Sequence, residues 1–207
     1  MKQLLVDYST FKFTTQQIEE SISRNGGRLI VSGVLQRANS KNQNGRVYPR
    51  PILEREVNRY TQNEVAQRRA LGELDHPESS VVNLKNVSHN ILETWWDKDD
   101  LCGKIEVLNT PAGNILKELF RAGITLGISS RGMGSVKNLY EESGEETVEV
   151  QNDFEIVCWD FVSNPSTQGA FMKPVNESVS KQTQQHGKAH NLITDIICEL
   201  SGVCCIS

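Results

Sequence analysis

The chain has 207 residues, of which 37% are hydrophobic and 23% charged, and it carries a net charge of −4. That is enough for one domain with appendages and too apolar for wholesale disorder, while the acidic balance argues against a dedicated nucleic-acid binder, which needs a basic face. No apolar run approaches the ~18–20 residues that cross a membrane, and Met1–Asp7 turns polar too early for a signal peptide.

Residues 1–27 are mixed and end in the turn-type run Asn25-Gly26-Gly27. Arg28–Val34 reads as a strand interrupted by Gly33, and residues 39–51 as a polar loop containing Asn44-Gly45 and two prolines. Pro51 suits a first helical turn, and Leu53, Val57 and Tyr60 recur at helical spacing, which predicts an amphipathic helix over 52–69. Residues 70–80 form a polar loop. Val87–Trp96 and Leu101–Leu108 flank the turn Asp97–Asp100 and predict a hairpin. Thr110 as cap and Pro111 at the first position open a helix with a stripe of Ile115, Leu116, Leu119 and Phe120, stopped at Gly123. Residues 124–137 are short, Gly-rich and β-like, and the acidic run 138–153 is an exposed hairpin tip around Ser143-Gly144. Phe154–Val162 is the most strand-like run of the chain. Residues 173–191 read as a flexible linker, and 192–207 as an apolar tail, either a short amphipathic helix or a peptide that docks on a partner.

Five cysteines, Cys102, Cys158, Cys198, Cys204 and Cys205, make an odd number with no CxxC pair. That argues for reduced thiols in a cytosolic setting and against a disulfide framework or zinc ribbon. The ending Cys204-Cys205-Ile206-Ser207 departs from a prenylation box, because Cys205 is not aliphatic and no polybasic segment precedes it.

Two segments are candidates for chemistry. In Gly72-Glu73-Leu74-Asp75-His76-Pro77 a histidine lies between an acid and a proline, and imidazole is the side chain best matched to accepting a proton near pH 7. In Gly127-Ile128-Ser129-Ser130-Arg131-Gly132 two hydroxyls precede a cation between glycines; the segment could supply a nucleophilic hydroxyl and N–H groups for an oxyanion, though not the base that serine chemistry also needs, and the alternative is a serine-rich turn between strands. The segment is neither a G-x-S-x-G elbow nor a Walker loop. A rival reading sets Glu73, Asp75, His76 and His89 around a divalent ion, but no HExxH-type pair supports it. Trp95-Trp96 puts one indole on each face of a strand. His186 and His190 fall in the linker.

Asn44-Gly45-Arg46-Val47-Tyr48-Pro49, Ala70–Pro77, Trp95-Trp96, Gly127–Gly132 and Asp160-Phe161-Val162-Ser163-Asn164-Pro165-Ser166 occur in an order and spacing that resemble the prohead core protein proteases of T4-like tailed bacteriophages, over about residues 28–172. The resemblance implies an α+β fold with a small β-barrel flanked by helices, like that of herpesvirus maturation proteases, in a protease domain over 1–172. It implies a serine endopeptidase of the prohead interior, in the host cytoplasm. Its substrates would be scaffold core proteins, capsid precursors and itself. A homo-oligomer is expected, with no cofactor, metal, nucleic acid or membrane. His76 corresponds to the general base and Ser129 to the nucleophile, with Ser130 the rival; physics alone does not rank the two serines. Arg131 and Gly132 are the candidate oxyanion donors. Asp160, an acid in an apolar run, is preferred as third member over Glu73 and Asp75, which sit within three residues of His76. Cleavage after glutamate in short apolar contexts suggests self-cleavage after Glu177, in Val175-Asn176-Glu177, and after Glu20, in Ile18-Glu19-Glu20, both read as flexible. A glutamate at the cut position calls for a basic subsite, for which Arg46, Arg50 and Arg131 are candidates.

Overall fold

A computed structural model describes residues 3–11, 14–42, 44–77, 79–140, 146–163 and 173–174. These fall within one compact unit spanning Met1–Val175. The chain begins with strand β1 (Gln3–Phe11) and helix α1 (Thr15–Arg24). The helix is opened by a capping box: Thr14 Oγ1 accepts the Gln17 N–H, and the Gln17 side chain accepts the Thr14 N–H. Ile18 and Ser21 are buried on its inner face, where the Ser21 hydroxyl donates to Ile30 O at 2.8 Å. Glu20 therefore belongs to a capped, packed helix. The sequence-based expectation of a flexible cleavage site there is corrected, because cutting after Glu20 requires this helix to unwind first.

Strand β2 (Leu29–Arg37) runs three residues beyond the predicted strand and carries a bulge between Val34 and Gln36. After the turn at Gly45 come the short strand β3 (Arg46–Val47) and helix α2 (Arg50–Tyr60), with Pro51 in its first turn. The predicted helix over 52–69 stops early. Residues Thr61–Val65 form a single π-helical turn, and the chain then enters strand β4 (Leu71–Glu73) inside the predicted polar loop. The hairpin of β5 (Val87–Asp97) and β6 (Asp100–Val107) is as expected, with Asp97 opposite Asp100. Helix α3 (Pro111–Arg121) is capped by Thr110 Oγ1 on the Gly113 N–H and ends before Gly123, whose φ of +73° suits glycine. Its inner stripe is Ala112, Leu116 and Phe120 at i, i+4 spacing. Ile115, expected in that stripe, is 55% exposed.

Strand β7 (Leu126–Gly134) is one continuous strand of nine residues. Strands β8 (Val136–Tyr140) and β9 (Glu146–Val150) form the acidic hairpin, whose tip lies outside the described residues. Strand β10 (Glu155–Val162) matches the most strand-like run, and β11 (Lys173–Pro174) pairs with β2. The rest of the predicted linker, the tail, His186, His190, Glu177 and the remaining three cysteines lie outside the described residues.

The strands form three sheets with orders β1-β7-β10, β11-β2-β6-β5-β4 and β3-β9-β8. The architecture is α+β, as expected. The described strands do not close into one barrel, which corrects the barrel expectation: β4 packs against β10, but their backbones pair only at the isolated bridge Leu74–Phe161 just past β4, which does not continue as a ladder. The core between the layers collects Leu29, Val31, Leu53, Val57, Tyr60, Ile105, Leu116, Phe120, Ile128, Trp159 and Phe161. Tyr60 packs edge-on against Trp159 at 5.0 Å, and Phe120 against Phe161 at 5.5 Å.

Side chains close the outer edge of β10. Arg55 donates to Phe154 O at 2.9 Å and Arg59 to Ile156 O at 2.8 Å, while the buried Glu56 accepts the Ile156 N–H at 3.2 Å. Further along, the Asp75 N–H donates to Phe161 O at 2.8 Å. An unpaired edge would otherwise expose backbone groups.

Strand β4 approaches β10 so closely that a Cβ on Gly72 would lie 2.0 Å from Trp159 O and 2.3 Å from the His89 ring. Gly72→Ala is expected to lower stability by at least about 1–3 kcal/mol, the cost of overpacking. Urea unfolding of both proteins checks it; an unchanged midpoint would mean that β4 moves away freely.

Candidate active site

The two serines separate by strand periodicity. In β7, Ser129 stands opposite Asp160 and Ser130 opposite Trp159 of β10. Directly opposed residues of an antiparallel pair share a sheet face, and alternate residues along a strand share one too. Ser129, Arg131, Cys158 and Asp160 therefore line one face. Ser130 lies on the other face with Ile128 and Gly132, where a Cβ on Gly132 would press on the Phe154 ring at 2.5 Å. Both hydroxyls are buried and neither has a hydrogen-bond partner. Ser129 is the one that shares its face with the charged groups.

His76 is brought to that face by the chain after β4. Asp75 takes φ of +70°, a conformation that aspartate tolerates better than most residues, and its carboxylate accepts the His76 N–H at 2.9 Å. Asp75 is thus spent on the local turn. The His76 ring lies with Nδ1 3.2 Å from Asp160 Oδ2, while Nε2 is buried with no hydrogen-bond partner. An ionised carboxylate only accepts, so Nδ1 carries the proton and Nε2 the lone pair of the neutral ring. Asp160, and neither Glu73 nor Asp75, is the acid on the imidazole. Ser129 Oγ and His76 Nε2 are not hydrogen-bonded to each other in this structure.

Asp160 is fully buried, and burial alone would raise its pKa. The His76 hydrogen bond, the Glu73 N–H at 2.9 Å and the charge of Arg131 outweigh that and hold it below the ordinary carboxylate value. Arg131 also has no exposed surface. It donates to Glu73 Oε1 at 2.8 Å, to Asp160 Oδ1 at 3.2 Å, to Cys158 Sγ at 3.0 Å and to Ser79 O at 2.8 Å, and its Nε lies 3.0 Å from Asp160 Oδ2. Burial pushes the Cys158 thiol up, so it is neutral here. The Arg131 guanidinium is committed to this cluster and does not offer itself to a substrate carboxylate. Arg50 is engaged as well: it stacks 3.5 Å over the Trp96 ring, donates to Lys98 O, and pairs with Glu54 and Asp99. Arg46 lies in β3 beside β9.

The backbone of Arg131 and Gly132 sits mid-strand in β7, with β1 on one side and β10 on the other. Successive N–H groups along a strand point to opposite edges. The two amides expected as oxyanion donors therefore do not converge on one point in this conformation.

His89 is fully buried. Its Nε2 donates to Trp159 O at 2.9 Å and its Nδ1 accepts from the Ser88 hydroxyl at 2.8 Å. Glu73, Asp75, His76 and His89 are thus tied to different partners. Among the described residues no group of three or more His, Cys, Asp or Glu side chains is arranged to hold a metal ion, and no helix is long and apolar enough to cross a membrane.

Comparison with known proteins defines the class first. The chain is 33% identical over 160 residues, 76% of its length and 73% of the relative's, to the prohead core protein protease of Enterobacteria phage T4. Its fold matches the structure of the bacteriophage T4 capsid assembly protease, gp21, with a TM-score of 0.65 and 28% identity, covering 78% of this chain and 98% of that one. By this kinship the protein is a peptidase. More particularly, a family model described as prohead core protein serine protease matches residues 14–182, and the chain belongs to that family.

Burial lowers the His89 pKa to about 4 against the raising effects of Asp160 and the Trp159 bond. A folded-state pKa below the unfolded value of ~6.5 means that the unfolded chain takes up a proton first as pH falls. Stability held above pH ~6.5 should therefore drop by about 1.4 kcal/mol per pH unit from this group, or about 2 kcal/mol between pH 6.5 and 5. Denaturant titrations at several pH values should reveal that slope, and His89→Gln should remove it.

Proposed function

We propose that this chain is a serine endopeptidase of phage head maturation that cuts scaffold core proteins, capsid precursors and itself, inside the prohead and in the host cytoplasm. The observation that carries the mechanism is the Asp160–His76 hydrogen bond on the sheet face that bears Ser129. Asp160 holds the imidazole in the Nδ1–H tautomer. Nε2 takes the proton of Ser129 as Oγ attacks the scissile carbonyl, and returns it to the leaving amine; water then repeats the sequence on the acyl-enzyme. The lone pair of Nε2 and the Ser129 hydroxyl are both without partners, the state of two groups awaiting a substrate, and such contacts commonly tighten only in the complex.

For the oxyanion, the assignment of Arg131 and Gly132 narrows to one amide of the pair, because their N–H groups point to opposite edges of β7. The Arg131 charge acts through Asp160. The relation in fold to herpesvirus maturation proteases, the homo-oligomer and cleavage after glutamate belong to the same reading. So do the division into a protease domain over 1–172, a linker over 173–191 and an apolar tail over 192–207 that cleavage after Glu177 would remove. The alternative is an inactive scaffold or capsid-assembly protein that keeps the fold. The missing hydrogen bond between Ser129 and His76 favours it.

Intact mass spectrometry over time on wild type, Ser129→Ala and Ser130→Ala separates these. Wild type should lose its C-terminal segment with a new end at Glu177, and Ser129→Ala should stay whole. Ser130→Ala should still cut, with a stability cost if any, because its hydroxyl faces the core. If only Ser130→Ala stays whole, the nucleophile named here is wrong. If wild type stays whole and also spares a peptide carrying Val-Asn-Glu-Ser, the assembly-protein reading stands.

A further inference from the structure

We propose that Glu73 is a positioning residue: a second buried carboxylate that shares Arg131 with Asp160 and so keeps the Asp160 charge available to His76. The inference rests on the endopeptidase reading for its role in turnover, but its electrostatic content does not.

The cluster is one cation short. Glu73, Asp160 and Arg131 have no exposed surface, and a single guanidinium stands between two carboxylates, with Glu73 Oε1 at 2.8 Å from its Nη2 and Asp160 Oδ1 at 3.2 Å from the same nitrogen. The neighbours do not supply the missing charge. Cys158 on β10 is neutral with its thiol pushed up, Tyr60 on α2 is neutral and pushed well up by burial, and His89 on β5 is held neutral. Asp75 adds a carboxylate on the His76 N–H. The remaining group against Asp160 is the His76 ring itself.

Glu73 is an unusual partner for a purely structural pair. Its Oε1 accepts from Arg131 and from the Asn83 N–H at 3.0 Å, yet its Oε2 is buried with no hydrogen-bond partner. A buried carboxylate oxygen left unsatisfied is costly, and an ion pair kept only for stability would satisfy it. The arrangement has a chemical use. Two carboxylates on one guanidinium leave a net negative charge that an imidazolium at His76 cancels. In turnover the imidazolium forms while the Ser129 proton resides on Nε2, so the cancellation arises at that step. With Glu73 neutral, Arg131 would be free to neutralise Asp160 alone, and the carboxylate would hold the ring less strongly.

The test uses the full chain. In a Ser129→Ala background, the low-field proton resonance of His76 Nδ1–H reads the strength of its bond to Asp160 without any need for activity. Glu73→Gln keeps the shape and removes the charge. It should move that resonance upfield, and Glu73→Asp should restore it. With Ser129 present, Glu73→Gln should lower kcat on a Val-Asn-Glu-Ser peptide about tenfold at unchanged KM, the scale of one unit of differential charge stabilisation. A folded Glu73→Gln protein with the parental resonance and parental kcat overturns the proposal. If Glu73→Gln does not fold, Glu73→Asp decides: loss of the resonance in that charge-preserving variant overturns it, and retention supports it. A shifted resonance in a protein whose wild type cuts no peptide would sink the endopeptidase reading and leave the electrostatic role of Glu73 standing.

Discussion

Arg131 reaches the interior with a full charge and no exposed surface, and its guanidinium is met by Glu73, Asp160, the Cys158 sulfur and the Ser79 carbonyl. A cation in that position is tolerable only if counter-charges and acceptors are delivered to it. They come from three separate stretches of chain: β4, the segment after it, and β10. Satisfying one arginine therefore fixes where the segment carrying His76 lies relative to the strand carrying Ser129. The Asn83 N–H on Glu73 and the Ser79 carbonyl on Arg131 pin that segment beyond His76 as well. Geometry that sequence-distant groups must hold to fractions of an ångström is thereby imposed by charge, since polar burial leaves few alternatives.

The surrounding frame makes the same demand on the backbone. Gly72 lets β4 come against Trp159 O, and His89 Nε2 donates to that same oxygen beside it. At the far end of β10, the arginines and glutamate of α2 bind the edge around Ile156. Asp160 thus sits in a strand held along both margins, and its carboxylate takes the Glu73 N–H, the imidazole and the guanidinium at once. Each of those bonds favours the charged form, which is why burial does not neutralise it.

Much of the periodic structure was legible in the residues: the β5–β6 hairpin, the Thr110 cap, the Gly123 stop and β10. Helix α1 was missed although Thr14 and Gln17 hold the capping-box spacing, because the polar composition around them masked a single buried stripe of Ile18 and Ser21. Strand β4 was hidden in a polar stretch, since its Glu73 is buried by an ion pair that no local pattern displays. The same holds for Arg131, which looks in sequence like a cation waiting for a ligand and is consumed internally. Ser129 and Ser130 had to face opposite ways in any strand, but which way meant the core depended on Trp159 and Phe154 across the sheet.

Strand β7 has neighbours on both sides along the stretch that carries Ser129, with Tyr8 of β1 and Asp160 of β10 opposite it. A peptide cannot lengthen that sheet at Ser129, because neither margin is vacant. On the proposed mechanism, a chain reaching Ser129 would have to cross the strand over the face it shares with Arg131 and Asp160, which is buried here, and take its main-chain contacts from loops. Recognition would then depend less on a repeating ladder than on the shape of the few segments bordering that face. Such a constraint would suit the proposed endopeptidase, which would cut at a small number of sites and spare the rest of a crowded assembly.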